Sequence, residues 1–156
     1  GSNGALWWND TSPTSTTISI GTRNEVNQNT KNYVMYCFKN IQGYSKIGSY
    51  VGNGSTNGPF IYTGFKPAWV MVKGTSSGRE WFMFDGTRDT FNPFSKYVKA
   101  ESTDAEASSA FGDFLSNGFK VRSDGASYNT SGQTFIYMAF AEHPFVSSEG
   151  VPTTAR

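Results

Sequence analysis

The sequence has 156 residues and a formal net charge of +1, thirteen Lys and Arg against twelve Asp and Glu. That length fits one domain that buries its own core without a disulfide framework or a structural metal. The balanced charge gives no electrostatic reason to expect nucleic acid or an anionic membrane as partner. Seventeen Gly, thirteen Phe, eight Tyr and four Trp stand among many Ser, Thr and Asn. Turn formers interleaved with aromatic strand formers describe an all-β chain. Cys37 is the single cysteine, so no internal disulfide forms; its apolar surroundings predict a small buried hydrophobe. Gly1-Ser2 reads as a cleavage scar, which leaves 3–156 as one domain, expected to end a longer protein. No apolar run reaches membrane-spanning length.

In chain order, Leu6 to Asp10 is a short aromatic segment ending in a turn signal. Ile18 to Ile20 predicts a brief alternating strand, and 24–32 reads as a polar loop. Tyr33 to Phe38 (Tyr-Val-Met-Tyr-Cys-Phe) predicts the first strong strand. Tyr44 to Val51 alternates as a half-exposed strand does. Gly52 to Pro59 is the clearest loop, and Phe60 to Thr63 a short strand after it. Ala68–Lys73 and Glu80–Asp85 predict a hairpin across Gly74 to Gly78. Residues 86–93 read as irregular. Ser102 to Ala110 is the one segment that reads as a helical turn. Phe111–Leu115 and Phe119–Arg122 predict a hairpin around Asn117-Gly118. Gln133 to Ala141 is the last long strand, and Pro144 and Pro152 mark an extended tail.

These strands predict an antiparallel β-sandwich, of jelly-roll or lectin-like type, with little or no helix. Several of them are apolar on both faces. Trp69 and Met71 oppose Val70 and Val72, and Ile136, Met138 and Phe140 oppose Phe135, Tyr137 and Ala139. A sandwich bare on its outer faces should alternate apolar with polar residues. A second cover is therefore expected, either loops or a neighbouring subunit.

From Tyr33 onward the motifs become recognisable. The run Tyr33–Phe38, the segment Gly43-Tyr44-Ser45-Lys46-Ile47-Gly48-Ser49-Tyr50 and the loop Gly52–Phe60 resemble a domain common at the C-terminus of large phage structural proteins, often of marine phages. Gly64–Met71, Asp113–Lys120, Ile136–Phe145 and Leu6–Asp10 resemble the same family, so the likeness covers nearly the whole chain. It implies a tail-fibre or virion-associated protein without a transferable catalytic motif. Tail fibres are usually trimeric, so the resemblance also implies that a homotrimer supplies the second cover.

The chemistry-bearing residues are few. His143 is the only histidine, so any Ser-His-Asp or Cys-His site has to use it. A lone histidine and a lone cysteine do not make a zinc site. Asp85 and Asp89 flank a Gly86-Thr87-Arg88 turn and could hold calcium or serve glycoside hydrolysis. The simpler reading has Asp85 capping the strand end and Arg88 paired with Asp89. The 52–58 loop lacks the Lys and Ser/Thr frame of a phosphate-binding loop; it reads as an ordinary long turn or as a recognition loop. Among the aromatics, Trp69 and Trp81 read as core, whereas Trp7 and Trp8 would point to opposite faces of an extended segment.

The reading is a non-enzymatic, virion tail-fibre-type domain without cofactor or metal, a homotrimer that attaches to a host-surface glycan or protein and inserts in no membrane. Its candidate ligand-binding residues are Trp7, Trp8, Tyr50, Asn53, Asn57, Asp85, Arg88 and Asp89. A structural trimerisation, capping or capsid-decoration domain is the first alternative, and a polysaccharide depolymerase the second.

Overall fold

Alternation along the longest strands decides which residues meet. Phe135, Tyr137 and Ala139 are buried and point inward, while Ile136, Met138 and Phe140 point to the other face. The same period buries Val70 and Val72 and turns Trp69 and Met71 outward. The computed structural model describes residues 4–76 and 78–144. The chain divides into two compact units, the first running to Phe38 and the second beginning at Lys39.

Among its described residues, the second unit is all β apart from one helical turn. Its strands are β1 (Ser45–Val51), β2 (Phe60–Tyr62), β3 (Pro67–Gly74), β4 (Phe82–Asp85), β5 (Phe94–Lys99), β6 (Ala107–Leu115), β7 (Gly118–Val121) and β8 (Thr134–Ala141), with a single turn of helix, α1 (Ala126–Asn129), between the last two. They form one sheet in the order β1-β8-β3-β4-β5-β6-β7-β2, every adjacent pair antiparallel. The two faces expected of a sandwich therefore belong to one continuous sheet. It curls at β5, which pairs with β4 near its end and with β6 across an irregularity between Phe94 and Lys96. The result is a nearly closed barrel with β1 and β2 as its two edges.

Aromatic rings fill the space between the two halves. Phe84 of β4 stacks on Phe111 of β6 at 4.0 Å, and Phe94 of β5 on Phe114 of β6 at 3.9 Å. Phe119 of β7 meets Tyr50 of β1 at 6.3 Å and Tyr137 of β8 at 5.4 Å, both edge to face. Such pairs add about 0.5–1.5 kcal/mol each beyond the area they bury.

One polar side chain, Asn129, is fully buried and tied to loop groups. Its amide nitrogen donates to Asn53 Oδ1 at 2.9 Å, Ser55 O at 2.8 Å and Ser123 O at 2.7 Å. Its amide oxygen accepts the Asn53 N–H at 2.8 Å, and its carbonyl accepts the Gly54 N–H. The loop of residues 52–59 is thereby bound to the segment around α1. Close approach also explains Gly52, where a Cβ would lie 2.3 Å from the Thr130 carbonyl oxygen.

The edge β1 is partly protected. Ile41 and Ser45 bridge one another, and the Asn40 carboxamide oxygen accepts the Ile47 N–H at 2.6 Å. A turn at 40–44 thus occupies the first edge groups that would otherwise recruit another strand.

The first unit contains two short helices, α2 (Gly4–Trp8) and α3 (Asn24–Asn27). Residues 21 and 23 donate their N–H groups to the carbonyls of Trp7 and Leu6. The Tyr33 hydroxyl donates to the Asn24 carbonyl and accepts the Gln28 N–H.

Several expectations are corrected. Tyr33–Phe38 is not a strand: it makes no strand pairing among the described residues, and Val34 and Tyr36 are 79 % and 81 % exposed. Its composition suits a strand, but a strand exists only through a partner. Cys37, in the same run, is exposed rather than buried. Residues 18–20 form no strand either, and Trp7-Trp8 is helical rather than extended. The stretch Ser102–Ala110 has no helix; β6 begins at Ala107 and pairs with β5. The expected tail around Pro152, the motif end at Phe145, and Ser77 of the β3–β4 hairpin lie outside the described residues.

Asn129 generates a test. Replacement by Leu removes the partner of the Asn53 N–H and of the Ser55 and Ser123 carbonyls, and replacement by Asp turns three attractive contacts repulsive. Both are expected to lower stability by about 3 kcal/mol, read as a fall in the urea midpoint at constant slope.

Candidate functional site

The charged loop between β4 and β5 is the first place to look for chemistry. Asp85 Oδ1 accepts the N–H groups of Thr87 and Arg88 at 3.0 and 2.8 Å, and Oδ2 accepts Arg88 Nε at 2.7 Å. Arg88 Nη1 reaches Glu106 Oε2 at 2.7 Å. The expected Arg88–Asp89 pair is thus replaced by a bridge from Asp85 to Glu106. Asp89 is engaged elsewhere: one oxygen takes the N–H groups of Ser95 and Lys96 at 2.6 and 2.7 Å and the Ser95 hydroxyl at 3.2 Å. Burial raises the Asp89 carboxyl, but the Lys96 and Ser95 donors and the Lys96 charge outweigh it and leave the group below its ordinary value. Across the loop, the two Asn92 carboxamide atoms pair with the backbone of Phe114. This network fastens the 86–93 loop to β5 and β6. No group of three or more His, Cys, Asp or Glu stands together as a metal site requires among the described residues.

Tyr50 and Asn53 are also spent on structure. Tyr50 is 8 % exposed, its ring stacked on Phe135 and its hydroxyl donating to the Tyr128 carbonyl at 2.7 Å. Burial pushes its phenol far above the usual tyrosine range, so the ring is core and presents nothing to a surface ligand. The Asn53 carboxamide oxygen serves Ser55 and Asn129, and its nitrogen donates to the Asn57 carbonyl. In the first unit, the Arg23 guanidinium lies 5.0 Å from the Trp7 ring centroid, and Trp8 is 48 % exposed. The structure thus brings together Asp85, Arg88 and Asp89 in one loop and Asn53 with Asn57 in another. In the first loop the Asp85 and Asp89 carboxylates hold backbone N–H groups, and in the second the Asn53 carboxamide does the same work.

Unspent polar groups meet at the seam of the barrel. A cleft of about 410 Å³ lies between the 40–43 turn and the start of β1 on one side and Tyr62, Thr63 and Gly64 on the other. Lys46 has the strand parity of Tyr50, the inward side of β1, at the barrel end. Tyr62 is 65 % exposed. Gly64 adopts φ +84°, and the Tyr62 ring lies over it, 3.6–3.9 Å from where a Cβ would stand. The backbone N–H groups of Thr63 and Gly64 both bond to the Asn117 carbonyl, which ties this rim to the β6–β7 turn. Among the described residues, the Asn40 carboxamide nitrogen, the Gln42 carboxamide, Lys46 Nζ and the Tyr62 hydroxyl have no hydrogen-bond partner.

The sequence reading passed over all four. Lys46 reads as ordinary alternation in a half-exposed strand, Tyr62 as part of a short strand and Gln42 as a turn residue, and Asn40 carries no signal. The available signal was Tyr62 two residues before Gly64, a ring beside a backbone position that carries no side chain.

Residues 1–144 match the model of a domain of unknown function, DUF7483, so the chain belongs to that family. No curated protein and no solved structure matched it.

The Asp89 geometry sets an acid-stability expectation. Its carboxyl titrates lower folded than unfolded, so its contribution is complete above the ordinary carboxylate value near ~4 and is lost as pH falls through the depressed value. Asp89→Ala is expected to cost about 2 kcal/mol at pH 7. It is also expected to flatten the fall in stability between about pH 5 and pH 3, measured by denaturant titration at each pH.

Proposed function

We propose that this chain is a non-enzymatic attachment domain of a virion tail-fibre-type protein, and that it binds a host-surface glycan in the seam cleft. The observation that carries the binding reading is the set of unpartnered donors around the exposed Tyr62 ring. A pyranose stacks its apolar face on such a ring while neighbouring donors take its hydroxyls and ring oxygen. The cleft is framed by a fixed edge strand and by a rim bonded to Asn117, so little ordering is lost when a ligand enters. The virion context comes from the resemblance of the motifs across the chain. In a fibre, weak single sites gain strength through multivalency.

The test is a glycan array probed with the full chain. Binding to a subset of bacterial surface glycans is expected, weakened at least tenfold by Tyr62→Ala with an unchanged thermal midpoint. An array without signal would remove the glycan reading. Shortening of a bound polysaccharide would favour the depolymerase alternative instead.

A structural, trimer-forming role is the second reading, and a different observation favours it. Ile47, Met138, Met71 and Met83 stand in register across four strands on the outer face. Trp69 and Phe140 lie on the same face, their ring centroids 5.7 Å apart. All are only partly covered in the single chain. Adaptable methionines in a row suit a protein contact. Light scattering is expected to give a trimer, and a monomer at high concentration would remove this reading.

A further inference from the structure

We propose that the glycan taken by the seam cleft is acidic, its carboxylate held by Lys46 while its ring stacks on Tyr62. This rests on the glycan reading above and narrows it to a ligand class.

The charges of the second unit point to it. Lys66 pairs with Glu142, Lys99 with Glu80 and Asp104, Arg122 with Asp113, and Arg88 with Asp85 and Glu106. Lys96 lies 4.0 Å from Glu106. Lys73 donates to the Arg79 carbonyl beside the Trp81 ring, Arg79 to Ser76, and Lys120 to the Gly58 carbonyl. Among the described cations of this unit, Lys39 and Lys46 alone have no such partner. They are close in space, because the Lys39 carbonyl accepts the hydroxyl of Ser45, the residue before Lys46. Lys46 lines the cleft, and Lys39 precedes Asn40 on its rim.

Among the described residues, the cleft wall contains no carboxylate. Its free groups are the Lys46 ammonium, the Asn40 nitrogen, the Gln42 carboxamide and the Tyr62 hydroxyl, so one positive charge stands there without a counter-charge. A neutral sugar, whose hydroxyls both donate and accept, leaves the ammonium without a counter-charge. A uronate or sialate supplies an anion for Lys46, acceptors for the Asn40 and Gln42 nitrogens, and an apolar ring face for Tyr62. A charge-assisted bond of this kind is about twice as strong as a neutral one. An acidic peptide also supplies carboxylates, but it lacks the rigid ring face that an exposed tyrosine matches.

The experiment uses the full chain on an array of uronate- and sialate-containing glycans. Each is printed beside its methyl ester, which keeps the ring and removes the charge. Neutral glycans and poly-glutamate complete the set. Binding is expected on a subset of the carboxylated glycans, lost on their methyl esters, and weaker at high salt. Lys46→Met is expected to reduce it at least tenfold and Lys46→Arg to keep most of it, both at unchanged thermal midpoint. Equal binding to acids and esters, or indifference to Lys46→Met, overturns the acidic class while leaving a glycan site in place. Equal capture by poly-glutamate overturns the saccharide. No signal on any glycan overturns both this inference and the reading beneath it.

Discussion

The buried carboxamide of Asn129 is the constraint on which the arrangement of the barrel ends depends. A fully buried amide is costly unless each polar atom finds a partner. Here the nitrogen has three acceptors and the oxygen one donor, drawn from the 52–59 loop and from Ser123. Those partners lie far apart in sequence, so satisfying one side chain fixes two chain segments together. The loop it fixes leads from β1 to β2, the two strands at the ends of the sheet order. The position of β2 relative to β1, and with it the width of the seam, follows from a bond network on the far side of the loop from the cleft.

The same economy explains why the sequence candidates did not become a site. Loops need partners for their backbone polar groups, and short polar side chains supply them. Asp85, Asp89, Asn92 and Asn53 all do this work. A residue type that can bind a ligand is equally able to bind its own backbone, and composition does not distinguish the two uses. Free polar groups accumulate where no backbone demands them. In this fold that place is the rim between two edge strands.

How far the sequence could be read follows from where each signal comes from. The hairpins around 74–78 and Asn117-Gly118, the 52–59 loop and the last strand were legible because turn chemistry and period-2 alternation are local. β5 was not, since Phe94 to Lys99 carries three polar or charged residues and gains its place by pairing with both β4 and β6. Ala107 to Ala110 looked helical by propensity and became a strand through the same pairing, a tertiary override of a weak local preference. Tyr33–Phe38 failed in the opposite sense: strong β propensity with no strand pairing among the described residues. The cleft was illegible because it joins residues on opposite edges of the sheet. Their nearness depends on the curl at β5 and the tether at Asn129, which no window of sequence contains.

An open seam has its own physical cost, since edge strands expose unpaired backbone groups that invite another chain. The two edges meet that cost differently. β1 is covered over its first half by the 40–44 turn through Ile41 and the Asn40 side chain. β2 is only three residues long, and its outward side chains Phe60 and Tyr62 are exposed. Full closure would have paired these edges and filled the space between them. The turn at 40–44 both blocks continuous pairing and leaves Lys46 and Tyr62 facing a gap. A device that keeps the edge from aggregating is thus the same device that makes the cleft, and the groups left without partners along it are the ones able to hold a ligand.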